Sequence, residues 1–186
     1  MKLALKQRCS TQFKHCSLLF FITFLLLAST SANPLPSVWD VLRNQLRLDH
    51  EISQPEVQQQ IRWLIAHPGY LDQLAHSERY MYHIITEIQK RHLPGEIALI
   101  PMIESSYDPF AYSSAGAAGL WQLMPGTGTG LGLKRDWWYD ARRSIGASTN
   151  AALNYLSYLQ NYFNGNWTLA IAAYDSGEGT VTNAVK

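Results

Sequence analysis

Residues 144–163 read SIGASTNAALNYLSYLQNYF. Ile145, Ala152, Leu156, Leu159 and Phe163 recur at intervals that place them on one side of a helix of 3.6 residues per turn. The spacing predicts a long amphipathic helix over Ser144 to Phe163. Asn164-Gly165-Asn166 follows as a turn, and Trp167 to Tyr174 reads as a shorter, alanine-rich helix closed by Ser176-Gly177.

The same periodicity continues towards the N-terminus. Tyr80, Ile84, Ile85 and Ile88 form one apolar face, and Val57, Ile61, Leu64 and Ile65 another, ended by Pro68-Gly69. Ile97, Ile100 and Ile103 carry helical spacing to Glu104, with Pro101 expected to kink the run. A short helix is expected over Val38 to Leu46, in an arm punctuated by Pro34, Pro36 and Pro55. Strand-like alternation is absent from the sequence. The expected fold class is therefore all-α, interrupted by one irregular, glycine-rich loop over residues 107–132 with glycines at 116, 119, 126, 128, 130 and 132.

Composition narrows the function classes. The chain has 186 residues, of which 47% are hydrophobic and only 16% charged, so it can bury a sizeable core. Residues 1–15 carry Lys2, Lys6, Arg8 and Lys14 without an acid. Residues 16–28, CSLLFFITFLLLA, are nearly unbroken apolar sequence, and Ser29 to Ala32 are small. This is the order of a secretory signal, with cleavage expected before Asn33 and an uncleaved membrane anchor as the alternative. Removing residues 1–32 takes the formal charge from +1 to −3 and removes both cysteines, Cys9 and Cys16. The remainder is neither a basic nucleic-acid binder nor a cysteine-based metal protein, and no lipid-attachment cysteine follows the apolar run.

Glu104 is the foremost candidate for chemistry. It lies in ALIPMIESSYDPFAYSSAGAAGLWQLMPGTG, residues 98–128, at the end of an apolar run and before a stretch of Ser, Ala and Gly. Apolar neighbours disfavour a carboxylate anion, raise its pKa and suit it to act as a general acid. The structural alternative is a helix-terminal Glu bonded to backbone. Of the other acids, Asp108 before Pro109 reads as a turn residue, and Asp140 before Ala141-Arg142-Arg143 as a helix cap or arginine partner. No H-E-x-x-H pair supports a zinc hydrolase, and no G-x-S-x-G elbow is present. GTGTGLG, residues 126–132, lacks the Lys-Ser/Thr ending and preceding strand of a phosphate loop. No metal or cofactor is expected. The aromatics suit either core packing or stacking on sugar rings.

Three motifs in order carry a family resemblance: Glu104-Ser105, Gly119-Leu120-Trp121-Gln122 and Ala173-Tyr174-Asp175. With WWYDARRSIGASTNAALNYL (137–156), AAYDSGEG (172–179) and VQQQIRWLIAHPGYLDQL (57–74), the chain resembles family 1 lytic transglycosylases, in the branch of the membrane-bound lytic murein transglycosylases D. The resemblance covers most of residues 38–183. It implies a helical domain like goose lysozyme, within the lysozyme-like superfamily, at residues 76–186. A helical arm at 33–75 would precede it and a signal at 1–32 would direct export to the periplasm or cell envelope.

The implied substrate is the glycan strand of peptidoglycan, cut between N-acetylmuramic acid and N-acetylglucosamine to leave 1,6-anhydromuramoyl ends. By the same resemblance Glu104 is the acid and then the base. Ser113, Gln122, Met124, Tyr174 and Asp175 match positions at the substrate. Asp175 departs from the Asn usual there, which keeps a hydrolytic muramidase open as an alternative. The family continues beyond the equivalent of Lys186, which suggests truncation and leaves a non-catalytic peptidoglycan-binding fragment as a third reading.

Overall fold

A computed structural model of the protein describes residues 36–75 and 77–186. The signal segment, both cysteines and the first residues of the arm lie outside the described residues. The helices are α1 (Val38–Arg43), α2 (Pro55–Ala66), α3 (Pro68–Ala75), α4 (Glu78–Lys90), α5 (Ile100–Ser105), α6 (Pro125–Gly130), α7 (Ile145–Tyr162), α8 (Trp167–Ser176) and α9 (Glu178–Ala184). Two 3-10 turns, Gly95–Leu99 and Ala141–Arg143, join them. Extended pairing among the described residues is limited to isolated bridges such as Tyr112 with Ala118 and Ala118 with Leu123. The all-α expectation holds.

The long central helix forms as its spacing predicts. Ser144 caps α7, its side chain accepting from the Ala147 backbone, and the C-terminal end runs into the turn at Asn164-Gly165. Its buried face, Ala152, Leu153, Leu156 and Leu159, is fully enclosed. α7 packs against both α8 and α4, and α4 contributes Met81, Ile84, Ile85 and Ile88 to the same core. α1 joins this core through Val38 and Leu42, held at its start by a capping box between Ser37 and Asp40.

Several local expectations are corrected. The helix of Val57 to Ile65 does end just before Pro68, at Ala66, but the chain does not leave helix there: Pro68 opens α3 directly after His67, a place where the missing N–H costs nothing. Pro101 likewise sits in the first turn of α5, so the run before Glu104 is a 3-10 turn followed by a fresh helix rather than one kinked helix. Ile103 lies on the outer side of that short helix and is 76% exposed. The glycine-rich stretch is not wholly irregular either, because PGTGTG forms α6. Pro125 presets its first turn, and the Thr129 hydroxyl donates back to the Pro125 carbonyl. Glu178–Ala184, not read as a helix from sequence, forms α9.

The central loop is tied to the helices by one buried arginine. Arg142 is only 1% exposed. Its guanidinium donates to both Asp140 carboxylate oxygens, to the Gly116 carbonyl at 2.7 Å and to the Leu123 carbonyl at 2.8 Å. These bonds hold the Asp140 carboxyl below its ordinary pKa. Asp140 also accepts from the Arg142 backbone, so both roles expected of it are filled. Gly119 has φ +79°, and a Cβ there would lie 2.0 Å from the Arg142 carbonyl oxygen. No side chain fits at that crossing.

Candidate active site

Glu104 projects from the last turn of α5 into a cleft of about 260 Å³. Gln122, Leu123 and Met124 from the central loop, Thr127 from α6, Tyr155 from α7, and Tyr174 and Asp175 from α8 line the same cleft. Residues far apart in sequence meet there because α7 and α8 pack together and Trp121 of the loop is hydrogen-bonded to Thr149 on α7 and Tyr174 on α8.

The backbone around the acid is unusually constrained. Ser106 and Tyr107, directly after α5, and Gln122 across the cleft all have positive φ, at 50°, 60° and 43°. Each such non-glycine residue costs of order 1–3 kcal/mol and needs neighbours to hold it. Those neighbours are visible. The Tyr107 hydroxyl donates to the Ala98 carbonyl at 2.6 Å in the core. The Gln122 side-chain amide donates to the carbonyls of Gly119 and Ala111, closing its own turn. The Ser105 hydroxyl contacts the carbonyls of Pro101 and Leu120, at 3.1 and 2.9 Å, which fastens α5 to the loop.

Glu104 is half-buried, and its carboxyl makes no hydrogen bond to any described residue. Burial pushes its pKa up, and the negative charge of Asp175 pushes it further the same way. Tyr174 stays protonated far above neutrality, chiefly through burial and also through the charges of Glu104 and Tyr155. Its hydroxyl donates to the Trp121 carbonyl at 2.7 Å. Trp121, fully buried, donates in turn from Nε1 to the Thr149 hydroxyl on α7 at 3.0 Å. The cleft thus sets an acid of raised pKa beside a tyrosine and a glutamine whose donors are already engaged with backbone carbonyls.

The raised pKa has a consequence for stability. The native state keeps its Glu104 proton to a higher pH than the unfolded chain does. Stability is therefore lost as pH rises from the ordinary Glu range through the raised native pKa. Glu104→Gln should melt at a higher temperature than wild type above that window and at the same temperature below it. Thermal melts across pH check this.

Five of the residues singled out from sequence, Glu104, Gln122, Met124, Tyr174 and Asp175, line this one cleft. Ser113 is not among the lining residues. Its hydroxyl accepts from the Ala117 backbone at 3.0 Å, closing a turn of the central loop. Asp108 likewise forms a turn, accepting from the Phe110 backbone. Sequence reasoning did not single out Tyr155 or Thr127. Tyr155 adjoins Leu156 in a helix read only for its apolar face, and the aromatic excess was the one hint.

Comparison with known proteins follows the same lines. The family model for the transglycosylase SLT domain matches residues 81–186. The membrane-bound lytic murein transglycosylase D of Escherichia coli strain K12 is 41% identical over 158 residues, covering 84% of this chain and 35% of that protein. The protein of the same name from E. coli O6:H1 gives the same figures. The chain therefore spans about a third of the length of these curated relatives. Among solved structures, an inactive mutant of the lytic transglycosylase Slt from Pseudomonas aeruginosa is 28% identical, covering 78% of this chain and 25% of that one. Its TM-score of 0.42 is too low to bear on the fold. With its matched domain spanning more than half the chain and enclosing the whole cleft, the protein belongs to the transglycosylase SLT domain family.

Proposed function

We propose that the chain is a peptidoglycan lytic transglycosylase that cuts the β-1,4 bond between N-acetylmuramic acid and N-acetylglucosamine, with Glu104 as the sole proton shuttle. The observation that carries this reading is the half-buried Glu104 carboxyl, which bonds to no described residue, has its pKa raised and lines the cleft. Protonated Glu104 donates to the glycosidic oxygen as the bond to C1 of the muramoyl ring breaks. The carboxylate left behind takes the proton of the muramoyl C6 hydroxyl while that oxygen bonds to C1. The proton count closes, no water is consumed, and the product carries a 1,6-anhydro end.

The surrounding residues support the same steps. Tyr174, held neutral and bonded to the Trp121 carbonyl, fixes the wall beside the acid. Met124 offers an apolar contact to the sugar, and Gln122 keeps the loop in the shape that admits it. Residues 76–186 serve as the catalytic domain and 33–75 as an arm. Residues 1–32 direct export, so the enzyme works in the cell envelope on glycan strands. The test is release of soluble fragments from purified peptidoglycan by residues 33–186. Intact peptidoglycan after incubation would overturn the reading.

Asp175 keeps the hydrolytic alternative in view, because a second acid beside the cleft could direct a water. Its effect on Glu104 gives a separate test. Activity requires protonated Glu104 and falls as pH rises through its pKa. Asp175→Asn removes the like charge, so the alkaline limb of the pH–rate profile should move to lower pH. An unmoved limb would show that burial alone sets the Glu104 pKa.

A further inference from the structure

We infer that the glycan strand runs beyond the Glu104 cleft along the outside of α7, over Tyr155, Tyr158 and Tyr162. This rests on the reading of the cleft as a glycan site and extends it to chain-length preference. A second cavity of about 590 Å³ opens from the first, and Thr127, Tyr155 and Gly177 line both. Its remaining wall includes Leu131, Asn154 and Tyr158.

The tyrosines form an unbroken row. Tyr174 and Tyr155 have ring centroids 5.9 Å apart, Tyr155 and Tyr158 are stacked at 6.2 Å and 12°, and Tyr158 and Tyr162 lie at 6.0 Å. Positions 155, 158 and 162 share one side of the helix, adjacent to the buried face that holds Leu156 and Leu159. The row begins inside the cleft and ends in solvent, with Tyr158 and Tyr162 49% and 45% exposed.

Tyr162 packs edge-on against buried Phe163 and its hydroxyl meets Thr182 on α9, whereas Tyr158 lies outside the buried core of α7. A pyranose strand matches the row well. Each sugar has an apolar face for a phenol ring and hydroxyls for the polar groups between the rings. Those groups are the phenol hydroxyls, Asn154 and the Glu178 carboxylate that faces Tyr158. The rings are mutually packed and fixed on a rigid helix, so little freedom is lost when a strand binds.

The test uses the Glu104→Gln protein, so that strands bind without turnover. Two probes are compared by titration calorimetry, uncrosslinked peptidoglycan glycan strands and a tetrasaccharide of the same repeat. Tyr158→Ala should weaken binding of the long strands about tenfold, equivalent to ~1.4 kcal/mol. The tetrasaccharide should change less than about twofold, its sugars lying within the cleft. Tyr158→Phe should restore long-strand binding, and Tyr162→Ala should weaken it by a smaller factor. Thermal melts equal to the parent would confirm that the fold is intact. Undiminished long-strand binding in both alanine variants, or equal losses for both probes, would overturn the track. If neither probe binds the Glu104→Gln parent, the cleft reading fails first and the track with it.

Discussion

Glu104→Gln should reduce the release of soluble peptidoglycan fragments by about 10³-fold or more, within the range that positioned acid–base groups supply. The size follows from the lack of a substitute. Glutamine keeps the shape and the cleft but can neither give a proton to the leaving oxygen nor take one from the C6 hydroxyl. Of the other described residues lining the cleft, only Asp175 carries a carboxyl. Asp175 is exposed, and its charge already acts on Glu104. Were Asp175 an equal partner in catalysis, Glu104→Gln would leave measurable turnover and the double variant would lower it further. Rates of fragment release for both single variants and the double variant check this. Binding of glycan strands should survive in Glu104→Gln, since the lining is otherwise unchanged.

The second large effect concerns folding. Arg142→Ala should destabilise the protein by about 3–5 kcal/mol, the usual outcome of removing one partner from a buried ion pair. The loss is not limited to the pair. The Gly116 and Leu123 carbonyls would each lose a charged donor at 2.7–2.8 Å, and Gly128 would face a void where the arginine stem now packs. For a domain of this size the melting temperature should fall by about 10 °C, measurable by thermal denaturation. Because Leu123 lines the cleft and its carbonyl is one of those released, activity should fall with stability. Arg142→Lys should be intermediate, keeping the charge but lacking the fork that reaches four oxygens at once.

What the sequence revealed and what it hid divide along physical lines. α7 was legible because a packed amphipathic helix must repeat its apolar residues, and Ser144 and Asn164-Gly165 mark its ends chemically. Asp140 was legible as both cap and arginine partner because short-range hydrogen bonds leave local signatures. Glu104 stood out because an acid at the end of an apolar run is costly without a purpose. α6 was hidden, since PGTGTG has poor helix propensity and forms through Pro125, the Thr129 back-bond and contact with Arg142. Ile103 continues the helical spacing of Ile97 and Ile100, yet it faces solvent because α5 is only one short helix with a single packed side. Tyr155 could not be picked out, because a residue between the core and solvent faces of a helix has no periodic signature of its own. The tie of Ser105 from α5 to the loop, and that of Gln122 within the loop, depend on contacts across 15 and 11 residues and are visible only in three dimensions.

In the proposed reaction one carboxyl suffices because the substrate supplies its own nucleophile. Digestion of purified peptidoglycan in ¹⁸O-labelled water, with the products read by mass spectrometry, tests it most directly. Attack by the C6 hydroxyl leaves 1,6-anhydromuramoyl ends that carry no label. Reducing muramoyl ends bearing ¹⁸O would contradict it, since water and not the C6 hydroxyl would then have attacked C1.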